Sequence, residues 1–170
     1  MYFDVVQGNI TRQTAHAMVN TTAPECRMEC GVSGTFRDQV EGSIVEEVER
    51  EQPLEAGDVV VTDAYNLPAL YLLHTVPVSG SGSATEASIR TAIQAVLQRA
   101  DHLECHSLAL PLLGCGGGGF DLEAGAICIG EEIQEFDPEY LADVRVVCRS
   151  DRNFEILMDA VREVRALQER

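Results

Sequence analysis

The 170-residue chain contains no lysine and no tryptophan, and aromatic residues make up only 5% of it. The absence of lysine excludes a Walker-type phosphate loop, because that loop requires a lysine beside its glycines. With few aromatic side chains, a core must be built mainly from Val, Leu, Ile and Ala, which suits helices packed on a sheet. No run approaches about 18 apolar residues and no basic segment precedes an apolar one at the start, so we expect neither a membrane span nor a signal peptide.

Positive charge is also scarce, since 28 acidic residues face 12 basic residues, all of them arginine, and the net charge is -16. Such a charge repels nucleic acid and anionic membranes, so we expect neither as a partner. An acidic surface from which lysine is absent is typical of proteins from extreme halophiles. At about 1 M salt the Debye length is only about 3 Å, which would screen the self-repulsion. An ordinary acidic protein would share the charge but not the absence of lysine.

The chain is long enough to fold without disulfides, although its six cysteines could form three. Cys105, Cys128 and Cys148 lie in or beside apolar runs, where a reduced cysteine behaves as a small hydrophobe. We therefore expect a reducing, cytoplasmic environment. Cys26 and Cys30 are separated by three residues rather than the two usual in a zinc knuckle, and no second pair follows. We expect no metal and no cofactor.

Short apolar runs alternate with segments of helical periodicity along the whole chain. Six runs predict strands: "YFDVV", "HAMVN", "DVVVTDA", "LYLLHTV", "SLALPLL" and "VRVVC". Helices are predicted from a cap at Thr85, over about 33–51 and 121–135, and in the last segment, with Asp121 as a second N-cap. The alternation predicts a three-layer α/β/α sandwich with a mixed, mostly parallel sheet, forming a single domain over residues 1–170. His74, within "LLHTV", is expected to be a core residue rather than a catalyst.

The segment "LLGCGGGGF" at 112–120 follows a buried strand and precedes a helix. Ligands of open α/β sheets bind at such a position, and bare backbone N–H groups there suit a diphosphate. Two other interpretations stay open. A flexible connector would have the same composition, and Cys115 could be a nucleophile, although the Cys-based phosphatase loop requires an arginine where Asp121 stands. The match to G-x-G-x-x-G is weak, because the predicted helix begins only after the last glycine.

Three stretches of the chain are considered together. The first is "VVQGNITRQTAHAMVNTTAPECRMECGVSGTFRDQVEGSI", the second is "LEAGDVVVTDAYNLPALYLLHTVPV", and the third is "SLALPLLGCGGGGFDLEAGA". Together they resemble the macrodomain family, whose members bind ADP-ribose and related metabolites. They occur in the family's order from about Val5 to the last helix. The resemblance implies a site for ADP-ribose or a related derivative, formed mainly by two glycine-rich diphosphate loops.

The resemblance also implies roles for individual residues. Asn9 replaces the Asp that accepts a hydrogen bond from the adenine amino group, with Gly8 and Ile10 beside it, and Arg149 stands where an aromatic residue flanks the base. The first diphosphate loop is matched by Gly31, Val32 and Ser33. The second loop is matched by Gly114, Cys115, Gly116, Gly117, Gly118, Gly119 and Phe120, with Phe120 near the ribose end.

The chain departs from the family pattern at positions that are associated with hydrolysis of the ligand. Members that hydrolyse ADP-ribosyl groups are associated with an Asn and an acidic residue at the positions of Ala23 and Ser33, whereas Asn20 keeps the first Asn of the motif and is the possible catalytic residue. Gly117 and Gly118 replace an aliphatic and an aromatic residue. The resemblance therefore leaves three interpretations: a protein that binds ADP-ribose, a hydrolase of ADP-ribose 1''-phosphate or of ADP-ribosylated protein, and a scaffold that has lost its ligand.

Overall fold

The computed structural model describes residues 1–24, 28, 31–80 and 82–170. Within them the chain forms six strands, five α-helices and one 3-10 turn at Ile10–Arg12. The strands are β1 (Tyr2–Gln7), β2 (Ala17–Thr21), β3 (Val59–Asp63), β4 (Tyr71–Thr75), β5 (Ser107–Leu110) and β6 (Asp143–Cys148). The helices are α1 (Gly31–Gln39), α2 (Ile44–Glu49), α3 (Glu86–His102), α4 (Leu122–Glu135) and α5 (Asp151–Gln168). All six predicted strands are present. No helix in the described ranges is both long enough and apolar enough to cross a bilayer.

The strands form one sheet in the order β1-β6-β5-β2-β4-β3. Neighbouring strands are parallel except β3, which runs antiparallel to β4 at one edge. The predicted mixed, mostly parallel sheet is therefore confirmed. Because parallel strands share a direction, the carboxyl ends of β1, β2, β5 and β6 lie along one edge of the sheet, where a ligand site is expected.

Both faces of the sheet are buried under helices, as a layered α/β/α fold requires. Along β2, Ala17 and Val19 belong to the core cluster that includes residues of α3, α4 and α5, whereas Met18 belongs to a second cluster with Phe36 of α1. Successive strand residues point to opposite faces, so the two clusters fill the two sides of the sheet. The predicted three-layer architecture is confirmed.

Two predicted helix caps are present. Thr85 Oγ1 accepts from Ser88 N at 3.1 Å, and Ser88 Oγ accepts from Thr85 N at 2.8 Å, which completes a capping box at the start of α3. Asp121 Oδ2 accepts from Ala124 N at 2.9 Å and caps α4. This second cap places the start of α4 after the glycine segment, as predicted.

The single helix predicted over about 33–51 is wrong, because the chain breaks between α1 and α2. Asn66, from the loop before β4, donates through Nδ2 to the carbonyl of Gln39 at 2.9 Å and accepts from Glu41 N at 2.7 Å, which ends α1. Gly42 then packs against the ring of Tyr65, where an added Cβ would lie 2.5 Å from Tyr65 Cγ. The predicted strand "SLALPLL" is also shorter than expected, because Pro111 follows Leu110 and has no N–H for the sheet.

Candidate functional site

A cleft of about 330 Å³ opens beyond the carboxyl ends of β1, β5 and β6. The first turns of α1, α4 and α5 form part of its walls through Val32, Leu122 and Asn153. Three helix N-termini therefore contribute partial positive charge. No carboxylate is among the described residues that line the cleft, and Arg149 is their only charged side chain. In a chain of net charge -16, this cleft is suited to an anion.

About half of the predicted site residues line this cleft. Those in its walls are Gly8, Ile10, Gly31, Val32, Cys115, Gly116 and Arg149. Those outside its walls are Asn9, Asn20, Ser33, Gly114, Gly117, Gly118, Gly119 and Phe120. The structure thus brings together the two glycine loops and the segment after β6, while several side chains assigned to the ligand point elsewhere.

Four of the five glycines in the second loop fall into two structural classes. Gly114 has φ +77°, and a Cβ on it would lie 2.8 Å from Ile89 Cγ1. A Cβ on Gly118 would lie 2.7 Å from the Gly114 carbonyl oxygen and 2.9 Å from Ala84 Cβ. By contrast, a Cβ on Gly116 or Gly117 would meet nothing within 4 Å. The first class is therefore needed for packing, whereas the second leaves open space beside bare backbone.

Hydrogen bonds hold the loop without using its central amides. Phe120 N donates to the Gly114 carbonyl at 3.1 Å, and Ala84 N donates to the Gly118 carbonyl at 2.9 Å. Of the described residues, none accepts a hydrogen bond from N–H groups 115–118. Of these four residues, Cys115 and Gly116 line the cleft, so their unpaired N–H groups are available near it, as an anion-binding nest requires. This geometry favours the phosphate-cradle interpretation over the flexible connector.

Comparison with known proteins identifies the family. The Macro domain profile matches residues 19–129. A protein of Sulfolobus acidocaldarius is 31% identical over 155 residues, which cover 88% of this chain and 84% of that protein. This chain belongs to the macro domain family. The O-acetyl-ADP-ribose deacetylase 1 of Pantoea vagans is 30% identical over 162 residues, covering 91% and 95% of the two chains. A longer Mycobacterium tuberculosis relative is 28% identical over 148 residues, and this chain spans 41% of its length.

A solved macrodomain confirms the fold. The Oceanobacillus iheyensis macrodomain with ADP superposes with a TM-score of 0.88 at 19% identity, covering 96% of this chain and 91% of that one. At that identity the agreement establishes the shared architecture alone. The roles of individual residues in this macrodomain must therefore be read from its own contacts.

The possible catalytic Asn20 lies in a buried polar network, not in the cleft. Ser33 Oγ donates to the Thr21 carbonyl at 2.6 Å and lies 3.2 Å from Asn20 Oδ1. Asn20 Nδ2 is 2.9 Å from His74 Nδ1, and His74 Nε2 is 2.9 Å from Thr62 Oγ1. Asn20 and His74 are both fully buried. The network links the start of α1 to β2, β4 and β3. Through it, Asn20 and Ser33 stabilise the first diphosphate loop of the macrodomain without lining the cleft.

The imidazole of His74 is neutral at the pH of most assays. Burial in the sheet lowers its pKa from 6.5 to about 4, because a charged ring would lose its hydration there. Its two described ring partners, Asn20 and Thr62, are uncharged, so neither would offset the charge of an imidazolium. The position of His74 agrees with the core role that its apolar surroundings predicted.

Cys115 lies in the cleft wall but lacks the features of a nucleophile. Burial is the main cause that raises the pKa of its thiol to about 11, so the thiolate is a minor form at neutral pH. Its Sγ fills the space beside Gly125 of α4, where an added Cβ would collide with it. The nucleophile interpretation is therefore not favoured, and Cys115 packs the glycine loop against α4.

Asn9 and Phe120 lie beside the cleft. Asn9 Oδ1 accepts from Thr11 N at 3.0 Å and from Thr11 Oγ1 at 2.8 Å, which caps the 3-10 turn. The ring of Phe120 packs against the larger core cluster, close to Gly125. The family resemblance assigned both side chains to the ligand, and the structure gives each of them a local structural contact.

Several lining residues were not predicted from the sequence. They are Thr35, Pro111, Leu112, Leu122, Val147, Cys148 and Asn153. All of them lie at the carboxyl end of a strand or near the start of a helix, which is the signal that could have identified them. In the described part of the chain, no three metal-ligating side chains cluster. Cys26 and Cys30, which were predicted not to bind a metal, lie outside the described residues.

Proposed function

We propose that this macrodomain binds ADP-ribose or a related nucleoside diphosphate derivative through the backbone amides of its two glycine loops. The observation that carries the proposal is the cleft itself. It has free N–H groups, three helix N-termini and Arg149, with no carboxylate among its described lining residues, in a strongly acidic chain. The name of the Pantoea vagans relative and the ADP in the Oceanobacillus iheyensis structure support the same ligand class.

We further propose that binding, rather than hydrolysis, is the main activity. The titratable side chains among the described lining residues are Cys115, Cys148 and Arg149. Burial raises the pKa of both thiols, and an arginine remains protonated, so none of the three is a general base at neutral pH. The name of the deacetylase relative favours a hydrolase as the second candidate, which would have to use a water held by the ligand itself.

Calorimetric titration with ADP-ribose, ADP and NAD tests the binding proposal, in about 1 M KCl because of the acidic surface. We expect ADP-ribose to bind best. Gly116→Glu should abolish binding, because Gly116 lines the cleft and an added Cβ there meets nothing within 4 Å, so the new carboxylate would stand beside the bound anion. Gln98→Glu on exposed α3 adds the same charge outside the cleft and is the matched control. Absence of heat with all three nucleotides would refute the proposal and favour a scaffold that has lost its ligand.

Phosphate release from ADP-ribose 1''-phosphate tests the second candidate. If the wild type releases phosphate, and Asn20→Ala still binds ADP-ribose but releases none, this macrodomain is a hydrolase.

ADP-ribosylated protein is the corresponding macromolecular ligand, and a reducing cytoplasm is the proposed location. The four cysteines at 105, 115, 128 and 148 are free thiols, as that location requires.

A further inference from the structure

The part of the second loop that carries the unpaired amides runs between Gly114 and Gly118, and these two glycines contact each other. A Cβ on Gly118 would lie 2.7 Å from the Gly114 carbonyl oxygen, and Phe120 N donates to the same oxygen at 3.1 Å. Between the two glycines, Cys115 and Gly116 line the cleft, and no described residue accepts from their N–H groups. The position of these two amides therefore depends on what holds Gly114 and Gly118.

Ala84, the residue before the N-cap of α3, contacts both of these glycines. Its N–H donates to the Gly118 carbonyl at 2.9 Å. Its Cβ would lie 2.9 Å from a Cβ on Gly118 and 3.0 Å from a Cβ on Gly114, so its methyl group packs against the backbone of both. A β-branched side chain, with two carbons on that Cβ, would have little freedom to avoid the two glycines. Ala84 is not among the described residues that line the cleft, so it can reach a ligand only through the loop.

Hydrogen bonds next to Ala84 hold its backbone in place. Thr85 N donates to Ser88 Oγ at 2.8 Å, and Thr85 Oγ1 accepts from Ser88 N at 3.1 Å. Ser88 Oγ in turn donates to the Pro77 carbonyl at 2.8 Å. These bonds join the first turn of α3 to the segment that follows β4. The backbone at Ala84 is therefore fixed from outside the glycine loop, and the loop is held against it.

We propose that Ala84 positions the amides of Cys115 and Gly116 for the diphosphate. This role rests on the proposed function, because it concerns the same ligand. The N–H and the methyl group of Ala84 set the spacing between Gly114 and Gly118, and that spacing sets the direction of the amides between them. A hydrogen bond weakens steeply as its angle departs from linearity, so a small shift of the loop would reduce affinity without unfolding the protein.

Calorimetric titration with ADP in about 1 M KCl tests this role on the wild type, on Ala84→Val and on the matched control Ala87→Val. Ala87 is exposed in the first turn of α3 and is not among the described lining residues, so the control adds the same two methyl groups away from the loop. Ala84→Val should bind ADP at least about tenfold more weakly, which is the effect of losing about one charge-assisted hydrogen bond. Ala87→Val should bind ADP like the wild type.

Amide chemical shifts supply a readout that a general loss of stability would not move. In the wild type, ADP should shift the ¹H–¹⁵N resonances of Cys115 and Gly116. In Ala84→Val, at ADP concentrations that saturate both proteins, the shifts of these two amides should be smaller. Ala84→Gly keeps the N–H and removes only the methyl group, so it is the variant that decides if Ala84→Val does not fold, and it should bind ADP at least about threefold more weakly than the wild type.

Two results would overturn the role of Ala84 and leave the proposed function intact. In the first, the wild type binds ADP and the folded variants at position 84 bind it as tightly. In the second, Ala84→Val binds ADP more weakly, but Cys115 and Gly116 respond to saturating ADP as they do in the wild type. Absence of ADP binding by the wild type would instead refute the proposed function, and the role of Ala84 with it.

Discussion

The buried imidazole of His74 makes this fold sensitive to acid in a way that can be calculated. Its pKa is lowered to about 4 in the folded protein, whereas an unfolded chain gives histidine its ordinary value of about 6.5. Between these two values the unfolded state binds more protons than the folded state. The free energy of unfolding should therefore fall as the pH falls from about 6.5 to about 4, with no further contribution from this ring below about 4.

The expected loss is large compared with the stability of a typical domain. The interval from 6.5 to about 4, at about 1.4 kcal/mol for each pH unit, corresponds to about 3 kcal/mol. Globular proteins are stable by only about 5–15 kcal/mol. Protonation of this one ring would therefore remove a substantial share of the free energy of unfolding. The start of α1 would at the same time lose its support through Asn20 and Ser33.

Urea unfolding followed by far-UV circular dichroism, at constant KCl and at several pH values between about 7 and 4, measures this effect. The comparison is between the wild type and His74→Gln, which removes the titrating ring but keeps a polar side chain that can bond to Asn20. The many carboxylates titrate in both proteins, so their contribution cancels in the difference. The wild type should lose about 3 kcal/mol more than His74→Gln over this range.

A matched control is His102→Gln, which removes an exposed histidine from α3. The loss assigned to His74 should remain in this variant, because the buried contacts of His74 with Asn20 and Thr62 are intact. Equal pH dependence of the wild type and His74→Gln would refute the reasoning, because it would mean that the buried ring titrates alike in the folded and unfolded states. A wild type that becomes more stable as the pH falls to about 4, relative to His74→Gln, would refute the sign.

Three further predictions concern packing and charge. Gly118→Ala should lower the melting temperature and weaken nucleotide binding, because its Cβ would meet the Gly114 carbonyl, whereas Gly116→Ala should melt like the wild type. Gly42→Ala should cost about 1–3 kcal/mol in urea unfolding through its clash with the Tyr65 ring, and adding Tyr65→Ala should recover part of that loss. The melting temperature should rise as KCl increases toward about 1 M, since salt screens a net charge of -16; a fall would contradict the halophile interpretation.

Local sequence patterns were sufficient for most of the architecture. The six strands were predicted from short apolar runs, and the caps at Thr85 and Asp121 depend on side chains within three positions of the helix start, so both are local features of the sequence. The break between α1 and α2 could not be predicted in this way. It depends on Tyr65 and Asn66, which reach Gly42 and Gln39 from the loop between β3 and β4.

The site was predictable as a location but only partly as a set of contacts. The glycine segment after β5 marked the cleft, because bare backbone at that edge of a sheet serves anions. The direction of each side chain was not accessible. Asn20 and Ser33 turn into the protein because His74 and the Thr21 carbonyl offer partners there, and those partners come from paired strands. The two classes of glycine likewise depend on Ala84 and Ile89 of another segment.

The walls of the cleft come from widely separated parts of the chain, from Gly8 after the first strand to Asn153 in the last helix. No short fragment contains the whole site, so it exists only once β1, β5 and β6 have paired and α1, α4 and α5 have packed beside them. A ligand therefore recognises the finished fold, and at a hundred times its Kd would add about 2.7 kcal/mol to the free energy of unfolding. The nucleotide proposed as ligand would then stabilise the folded state most usefully in dilute salt, where self-repulsion of the acidic surface opposes compaction.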